Sequence, residues 1–198
     1  MKSLLLVGCG GHSRSLIDLI ESTGEWSIAG LVGLPEQVGR LVLGYPVIGS
    51  DTDFPALRAE NNSVVLAIGQ LPDSTQRERL VAVLEKHRFR FPIVISPHSV
   101  VSRYAQLAAG TTVGHGAIVN AGAVVGRHCI LNSRLLNEHD VQIGDYCHVS
   151  TGALINGGVR IGAGSFIGSG AVIREGIVLP PSTVVGAGKL VMGWPVRD

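Results

Sequence analysis

The sequence predicts two domains of different fold class, an α/β Rossmann-like domain over residues 1–95 and an all-β parallel β-helix over residues 96–198. Three observations predict this division. Strand-like and helix-like apolar segments alternate around a glycine-rich loop, Gly8–Ser13, in the first half. In the second half, an aliphatic residue stands at fifteen of the sixteen positions reached by steps of six from Val101 to Val191. The 27 glycines and the low aromatic content of 5% suit thin, regularly stacked walls.

The first domain is predicted to begin with a βαβ unit. Ser3–Val7 is a short apolar strand, and the apolar residues that follow the glycine-rich loop have helical spacing. Strand, glycine-rich turn, helix and strand in this order are typical of a Rossmann-like arrangement. The further predicted elements are strands at Ile28–Val32 and Val64–Ile68, a helix at Gln76–His87 and a connection to the second domain at Pro92–Pro97.

The glycine-rich loop has two interpretations. Glycines before a helix let the backbone approach a phosphate group, but a turn with only a packing role gives the same sequence. A dinucleotide site needs an acidic residue after the second strand, where this chain has Gly33 and Leu34, so NAD is not expected. Gly69, which ends the third predicted strand, is expected to face the same crevice.

The six-residue repeat predicts the second domain. Sixteen positions are reached by steps of six from Val101, and fifteen of them are Val, Ile or Leu. An α-helix cannot place such a step on one face, whereas short strands joined by tight turns can. Three hexads close one 18-residue triangular coil, and the coils stack. Cys129 and Cys147 are one coil apart, so we expect them to stack inside the prism as reduced thiols rather than to act as nucleophiles.

Composition excludes several classes of function. The formal net charge of +1 gives no global electrostatic support for binding nucleic acid or an anionic membrane. No apolar run approaches the roughly 18 residues of a membrane span, and the apolar stretch after Met1 is too short for a signal peptide. Three widely spaced cysteines do not form a disulfide framework. A cytoplasmic protein without membrane insertion is therefore expected.

The repeat is interrupted once, at Asn137, which opens the run Asn137-Glu138-His139-Asp140. A polar interruption of a uniform solenoid costs stability and is expected at a functional site. The carboxylate of Asp140 favours the charged form of the neighbouring imidazole, which makes His139 a candidate general base. The alternative is a solvated corner whose histidine has no function.

The other histidines are weaker candidates. His115 and His128 are predicted to be surface residues on coil corners, and His148 to line the same groove as His139. A zinc site would require three of these side chains to converge on one ion. Their separations along the chain never equal one coil, so no metal is expected within one chain.

The sequence resembles the NeuD/PglD-type bacterial sugar acetyltransferases. The resemblance rests on Gly10-Gly11-His12, Ala67-Ile68-Gly69 and the hexads that contain Glu138-His139-Asp140, and it covers nearly the whole chain. It implies a left-handed β-helix and a homotrimer with active sites between adjacent subunits. It also implies direct acetyl transfer from acetyl-CoA, as co-substrate, to the amino group of a nucleotide-linked amino sugar.

The resemblance implies a role for each matched residue. His139 matches the general base and Asp140 the acidic neighbour that increases its basicity. The residues matched to acetyl-CoA binding are His148, Gly157, Ser169 and Ala187, and backbone amides, that of Gly157 first, are expected to stabilise the oxyanion. The residues matched to the sugar-nucleotide pocket are Gly11, His12, Ser13 and Gly69, with Asn132 close to the acceptor.

The sequence departs from the family at one place that bears on the substrate. Gly33 and Leu34 replace an Asp-Asp pair that binds the nucleotide base in family members, so the sugar, the nucleotide and the pathway stay open. Two alternatives also stay open: O-acetylation of sialic acid or a similar sugar, and a catalytically silent scaffold that binds a sugar nucleotide.

Overall fold

The computed structural model describes residues 2–70 and 72–195. The chain forms two compact units, the first comprising the described residues of Met1–Gly69 and Thr75–Pro92, and the second those of Gln70–Ser74 and Ile93–Asp198. The predicted boundary at residue 95 falls close to this division, whereas no sequence pattern indicates that residues around Gln70 belong to the second unit. Residues 196–198, the end of the predicted second domain, lie outside the described residues.

The first unit contains a five-stranded sheet. Its strands are β1 Lys2–Val7, β2 Trp26–Val32, β3 Leu41–Val42, β4 Tyr45–Gly49 and β5 Val64–Leu66, in the spatial order β3-β4-β2-β1-β5. β1 pairs in parallel with β2 and β5, and β2 pairs in parallel with β4, so the carboxyl ends of four strands meet at one edge. Only β3 is antiparallel. The helices are α1 Gly11–Thr23, α2 Phe54–Glu60 and α3 Thr75–Lys86, with short 3₁₀ turns at Pro35–Gln37 and Asp51–Asp53.

The predicted βαβ unit is present, and its apolar residues form the core of the first unit. Leu4, Leu5 and Leu6 of β1 are fully buried, and the apolar face of α1 packs inward as its spacing predicts. Three elements of this unit, β3, β4 and α2, are not predicted from the sequence. Pro46 lies inside β4. A proline in the sequence disfavours a strand, because it has no N–H to donate to a neighbouring strand.

The second unit is a parallel β-helix built from three sheets, here called faces 1, 2 and 3. Each strand has two residues, and the chain visits the faces in the order 3, 1, 2. Face 1 contains β7 Val100–Val101, β10 Ile118–Val119, β13 Leu136–Asn137, β16 Leu154–Ile155, β19 Val172–Ile173 and β22 Leu190–Val191. Face 2 contains β8 Gln106–Leu107, β11 Val124–Val125, β14 Gln142–Ile143, β17 Arg160–Ile161 and β20 Val178–Leu179. Face 3 contains β6 Val94–Ile95, β9 Thr112–Val113, β12 Ile130–Leu131, β15 His148–Val149, β18 Phe166–Ile167 and β21 Val184–Val185.

The register confirms the 18-residue coil. Ile118 pairs with Leu136 and Leu136 with Leu154, and the same spacing holds on the other faces. From β7 onward, the second residue of each strand points into the prism, which places the predicted aliphatic column in the core. Cys129 and Cys147 are buried in this core as free thiols, each donating to a backbone carbonyl, of Gly144 and Gly162 respectively.

The first residues of the strands point outward and distinguish the faces. Those of face 1 are apolar throughout: Val100, Ile118, Leu136, Leu154, Val172 and Leu190. Four of these six are more than a third exposed, at 63% for Val100, 37% for Ile118, 39% for Leu154 and 60% for Leu190. Face 2 carries a mixture of polar and apolar outward residues: Gln106, Val124, Gln142, Arg160 and Val178. On face 3 the outward side chains of Thr112, Ile130 and His148 are buried.

The prediction that His128 lies at the surface is wrong. Its side chain is fully buried, and the ring stacks on Tyr146 at a centroid distance of 5.1 Å. One coil earlier stands Gly110, where a Cβ atom would collide with the imidazole. The missing side chain of Gly110 therefore opens the space that the His128 ring occupies.

The helices of the first unit are short. Within residues 2–70 and 72–195, no helix combines the length and the apolar character that crossing a membrane requires.

Candidate active site

His139 and Asp140 form a hydrogen-bonded pair at the corner between faces 1 and 2. The chain leaves β13 at Asn137 and turns at Asp140, whose φ of 58° lies in the left-handed region that Asp tolerates better than most residues. His139 Nδ1 lies 3.0 Å from Asp140 Oδ2, and both side chains are about two-thirds exposed. The Glu138 carboxylate fixes the corner by accepting from the Asn120 amide and from the backbone N–H of His139.

Glycines in the neighbouring coils make room for this pair. A Cβ atom at Gly122, one coil before Asp140, would collide with the carboxylate. A Cβ atom at Gly157, one coil after His139, would lie 2.6 Å from Nε2 and 2.7 Å from Cε1. The imidazole therefore lies directly against the backbone of Gly157.

The neighbouring carboxylates raise the pKa of His139 above its usual value of 6.5. The largest cause is the hydrogen bond to Asp140, followed by a smaller opposing effect of desolvation, and then by the charges of Asp140, Glu138 and Glu175. The hydrogen bond fixes Nδ1 as the donor, so that Nε2 carries the lone pair in the neutral ring. The arrangement can accept a proton at Nε2, as general-base catalysis requires.

Replacing Gly157 with alanine is expected to lower kcat at least tenfold, because the new methyl group occupies the place of the imidazole. Gly157 has no positive φ, so the backbone accepts alanine and the effect is confined to the ring. Steady-state kinetics measures the change. Gly193→Ala serves as the control, since a Cβ atom there meets nothing within 4 Å; equal rates for the two variants would contradict the prediction.

Asn132, His148 and Gln70 form a second polar cluster on the other side of the prism. His148 is the outward residue of β15 on face 3, and only 6% of it is exposed. Its Nδ1 lies 3.0 Å from the carbonyl oxygen of Gln70 and its Nε2 3.2 Å from Asn132 Nδ2. The rings of His148 and Phe166 form a T-shaped contact with their centroids 5.2 Å apart. Gln70 is not predicted from the sequence, because it contacts His148 through a backbone carbonyl that any residue would provide.

The remaining residues matched to acetyl-CoA binding lie along the corner between faces 3 and 1. Ser169 follows β18, and its hydroxyl forms a 2.9 Å hydrogen bond with the hydroxyl of Ser150. Ala187 lies one coil after Ser169. The backbone N–H groups of Gly157, Ser169 and Ala187 make no hydrogen bond within the described part of the chain. These amides are consequently available to a ligand that runs along the coils.

The two clusters occupy opposite edges of face 1. His139 and Gly157 follow face-1 strands and lie at the corner shared with face 2. Asn132, Ser169 and Ala187 follow face-3 strands and lie at the corner shared with face 1. The structure thus groups His139, Asp140 and Gly157, and separately Asn132 and His148, but the width of face 1 separates the groups within one chain.

A cavity of about 500 Å³ lies in the first unit at the carboxyl ends of its parallel strands. It is lined by the glycine-rich loop, including Gly11 and His12, and by Gly69 after β5. Ser13, the fourth residue predicted for this pocket, is not among its lining residues. That side chain is fully buried, and its hydroxyl donates to the carbonyl of Gly10, which fixes the first turn of α1.

A side chain at position 33 of the cavity wall would have to displace the side chains of Cys9 and Gln37. A Cβ atom at Gly33 would lie 2.7 Å from Cys9 Sγ and 2.9 Å from Gln37 Oε1. Gln37 Oε1 accepts the Cys9 thiol at 2.9 Å and the backbone N–H of Leu34 at 2.8 Å. Gln37 and Cys9 therefore fill the place at which Gly33 and Leu34 replace an acidic pair.

Metal-ligating side chains are not clustered in the described residues. Across residues 2–70 and 72–195, no three His, Cys, Asp or Glu side chains are grouped so that they could hold one ion.

A β-helix of hexapeptide coils that carries a basic imidazole and a row of unpaired backbone amides defines a hexapeptide acyltransferase. Comparisons of sequence agree with this class. Residues 3–84 match the family described as PglD N-terminal domain, and residues 140–175 match bacterial transferase hexapeptide (six repeats). A search of curated proteins found no match.

Solved structures extend the comparison. A histidine-to-asparagine mutant of perosamine N-acetyltransferase from Caulobacter crescentus, in complex with CoA and GDP-perosamine, is 32% identical with a TM-score of 0.90, covering 100% of this chain and 90% of that chain. The acetyltransferase domain of PglB from Neisseria gonorrhoeae is 28% identical with a TM-score of 0.89, covering 100% of this chain and 94% of that chain. The same domain in complex with acetyl coenzyme A is 28% identical with a TM-score of 0.86, covering 96% and 92%.

The chain belongs to the NeuD/PglD-type family of sugar acetyltransferases. The resemblance found in the sequence is thereby confirmed, and so is the fold class, a Rossmann-like α/β domain followed by a left-handed parallel β-helix.

Proposed function

We propose that the protein transfers an acetyl group from acetyl-CoA to the amino group of a nucleotide-linked amino sugar. The observation that carries the proposal is the exposed His139–Asp140 pair, whose Nε2 lies against a glycine backbone on a fold shared with sugar N-acetyltransferases. The C. crescentus relative contains CoA and GDP-perosamine, and the N. gonorrhoeae relative acetyl coenzyme A.

In the proposed reaction the sugar amine attacks the thioester carbonyl carbon while His139 Nε2 accepts a proton from the amine. Collapse of the tetrahedral intermediate breaks the carbon–sulfur bond, and the proton passes from His139 to the departing CoA sulfur. The N–H of Gly157, next to the imidazole, supports the oxyanion. Each residue acts on an atom of the substrate, so no covalent acyl-enzyme is required.

We assign the two ligands to different domains. The cavity lined by Gly11, His12 and Gly69 in domain 1–95 receives the sugar nucleotide, because glycines at the strand ends let phosphates approach the backbone. In domain 96–198, the free amides of Ser169 and Ala187 receive the extended pantetheine chain of acetyl-CoA. We also propose a cytoplasmic location, which suits the free thiols of Cys129 and Cys147.

The geometry of face 1 supports a homotrimer with active sites between subunits. A continuous stripe of outward aliphatic residues, such as Leu154 and Leu190, marks a surface that a partner covers. Because His139 and the acetyl-CoA residues lie on opposite edges of this face, neighbouring copies are needed to bring them together. Copies related by an axis along the prism keep equal heights. With neighbouring strands about 4.8 Å apart, the seven residues from Asn132 to His139 correspond to about 2 Å of height.

A thiol-release assay with acetyl-CoA tests the proposed reaction. The panel contains UDP-, dTDP- and GDP-linked amino sugars and free sialic acid. Release of CoA that depends on one of the amino sugars is expected. Release with sialic acid alone would indicate O-acetylation, and the absence of saturable heat in a calorimetric titration with acetyl-CoA would indicate a silent scaffold.

Removing the charge of Asp140 is expected to shift the pH profile. Because the Asp140 carboxylate raises the pKa of His139, Asp140→Asn lowers that pKa and moves the acidic limb of the kcat/KM profile to lower pH. The maximal rate falls as well, since the imidazole becomes a weaker base. Rates measured from pH 5 to 9 report both effects. An acidic limb at the same pH as in the wild type would show that Asp140 does not affect the pKa of the catalytic base.

A further inference from the structure

We propose that His148 is a positioning residue, which holds the Asn132 amide so that its second N–H donates to the acyl carbonyl oxygen. This inference rests on the reaction proposed above. It adds a side-chain donor to the Gly157 amide and changes the role expected for His148 from a contact with acetyl-CoA to an action through Asn132.

The backbone fixes the orientation of the Asn132 amide. Asn132 Oδ1 lies 2.7 Å from the backbone nitrogen of Ser133, which can only donate. Oδ1 is therefore the acceptor in that contact, and the atom that faces His148 is the NH₂ group. One N–H of this group points to His148 Nε2, and the planar amide directs the other away from the imidazole.

The backbone also fixes the tautomer of His148. The carbonyl oxygen of Gln70 can only accept, so the proton of the ring lies on Nδ1. Nε2 then carries a lone pair, as the N–H of Asn132 requires. A ring in this tautomer has no N–H left for a thioester oxygen and cannot accept a further proton without losing the contact with Asn132.

Hydrogen bonds to the backbone hold this cluster in place, so that the Asn132 amide is a donor with a fixed orientation. The Gln70 side chain reaches the carbonyls of Gly164 and Ser165, at 3.4 Å and 3.5 Å. His148 is nearly buried, whereas Asn132 is only partly buried and lies at the edge of face 1. In the proposed trimer this edge is level with His139 of the neighbouring copy, where charge develops on the carbonyl oxygen. A fixed donor at that place stabilises the transition state more than the bound substrate.

Two substitutions of His148 separate a positioning role from a contact with acetyl-CoA. In His148→Gln, the side-chain oxygen replaces Nε2 as acceptor for Asn132. In His148→Asn, the amide replaces Nδ1 as donor to Gln70, and the acceptor for Asn132 is lost. We expect Asn132→Ala to lower kcat about 10²-fold, the usual effect of removing one oxyanion donor. His148→Asn is expected to approach that loss and His148→Gln to recover at least tenfold of it, with KM for acetyl-CoA nearly constant in all three.

The double variant Asn132→Ala/His148→Asn is expected to be no slower than Asn132→Ala alone, because His148 acts only through Asn132. Equal losses in the glutamine and asparagine variants, additive losses in the double variant, or changes confined to KM would each overturn the proposal. Melting temperature and acetyl-CoA titration verify that each variant folds.

Nuclear magnetic resonance tests the same inference without turnover. Long-range ¹⁵N–¹H spectra of the histidine-labelled protein at pH 7.5 are expected to show His148 with a protonated Nδ1 and an unprotonated Nε2, assigned by the signals lost in His148→Gln. A proton on Nε2 overturns the inference. The failure of the proposed function is a separate result: turnover that survives the loss of His139 refutes the reaction and leaves this spectrum unchanged.

Discussion

Replacing His139 with alanine is expected to lower kcat by about 10²–10⁴-fold, the usual contribution of a positioned general base. No other described side chain is hydrogen-bonded to Asp140 in a way that could take over the proton. The exposed imidazole makes no contribution to the core, so the melting temperature should stay within a few degrees of the wild type. Single-turnover and steady-state rates measure the loss.

Two controls isolate the chemical step. Calorimetric titration with acetyl-CoA should give the same affinity for His139→Ala as for the wild type, because the backbone amides proposed to bind the pantetheine chain are unchanged. His98→Ala removes another exposed histidine from an earlier corner and should keep wild-type turnover. Wild-type turnover in His139→Ala would remove the general base from the mechanism.

Replacing Leu154 with glutamate is expected to dissociate the proposed trimer and to abolish turnover at the same time. Leu154 stands near the middle of the aliphatic stripe on face 1, and a buried unpaired carboxylate there strongly opposes association. A separated copy keeps His139 on one edge of face 1 and the residues proposed to bind acetyl-CoA on the other edge. Under the proposed mechanism, activity is therefore lost together with the trimer. Sedimentation velocity and the thiol-release assay measure the two effects.

Val178→Glu is the matched control for this substitution. Val178 is an outward aliphatic residue at the same position of a two-residue strand, but on face 2, and it is 58% exposed. This variant should remain trimeric and active. A monomeric Leu154→Glu protein that keeps its activity would show that the active site is complete within one chain.

How much of this molecule the sequence predicts depends on the kind of signal each part leaves. The β-helix is predicted in register because its period runs from Val101 to Val191 without an insertion, so each residue's coil follows from counting. His139, Asp140 and Gly157 are predicted as neighbours for the same reason. β4 is missed because Pro46 contradicts a local strand pattern that the tertiary structure overrides.

The remaining differences depend on contacts that no local pattern contains. His128 is buried because Gly110 and Tyr146, each one coil away, create a slot for its ring. Gln70 meets His148 through a backbone carbonyl, which any residue would provide, so its role is invisible in the sequence. Asn137 interrupts the aliphatic column just before the corner that carries His139 and Asp140. Its amide lies fully inside the prism, and neither polar atom has a hydrogen-bond partner among the described residues.

Because the 18-residue register has no insertion, height along the second domain increases by a constant amount with each coil. Every coil adds the same increment, about 4.8 Å, along the corner between faces 3 and 1, from Asn132 at one end to Ala187 at the other. The number of coils, rather than any single side chain, thus sets the length of this corner. Gain or loss of a whole coil would change that length while keeping the interior column in register.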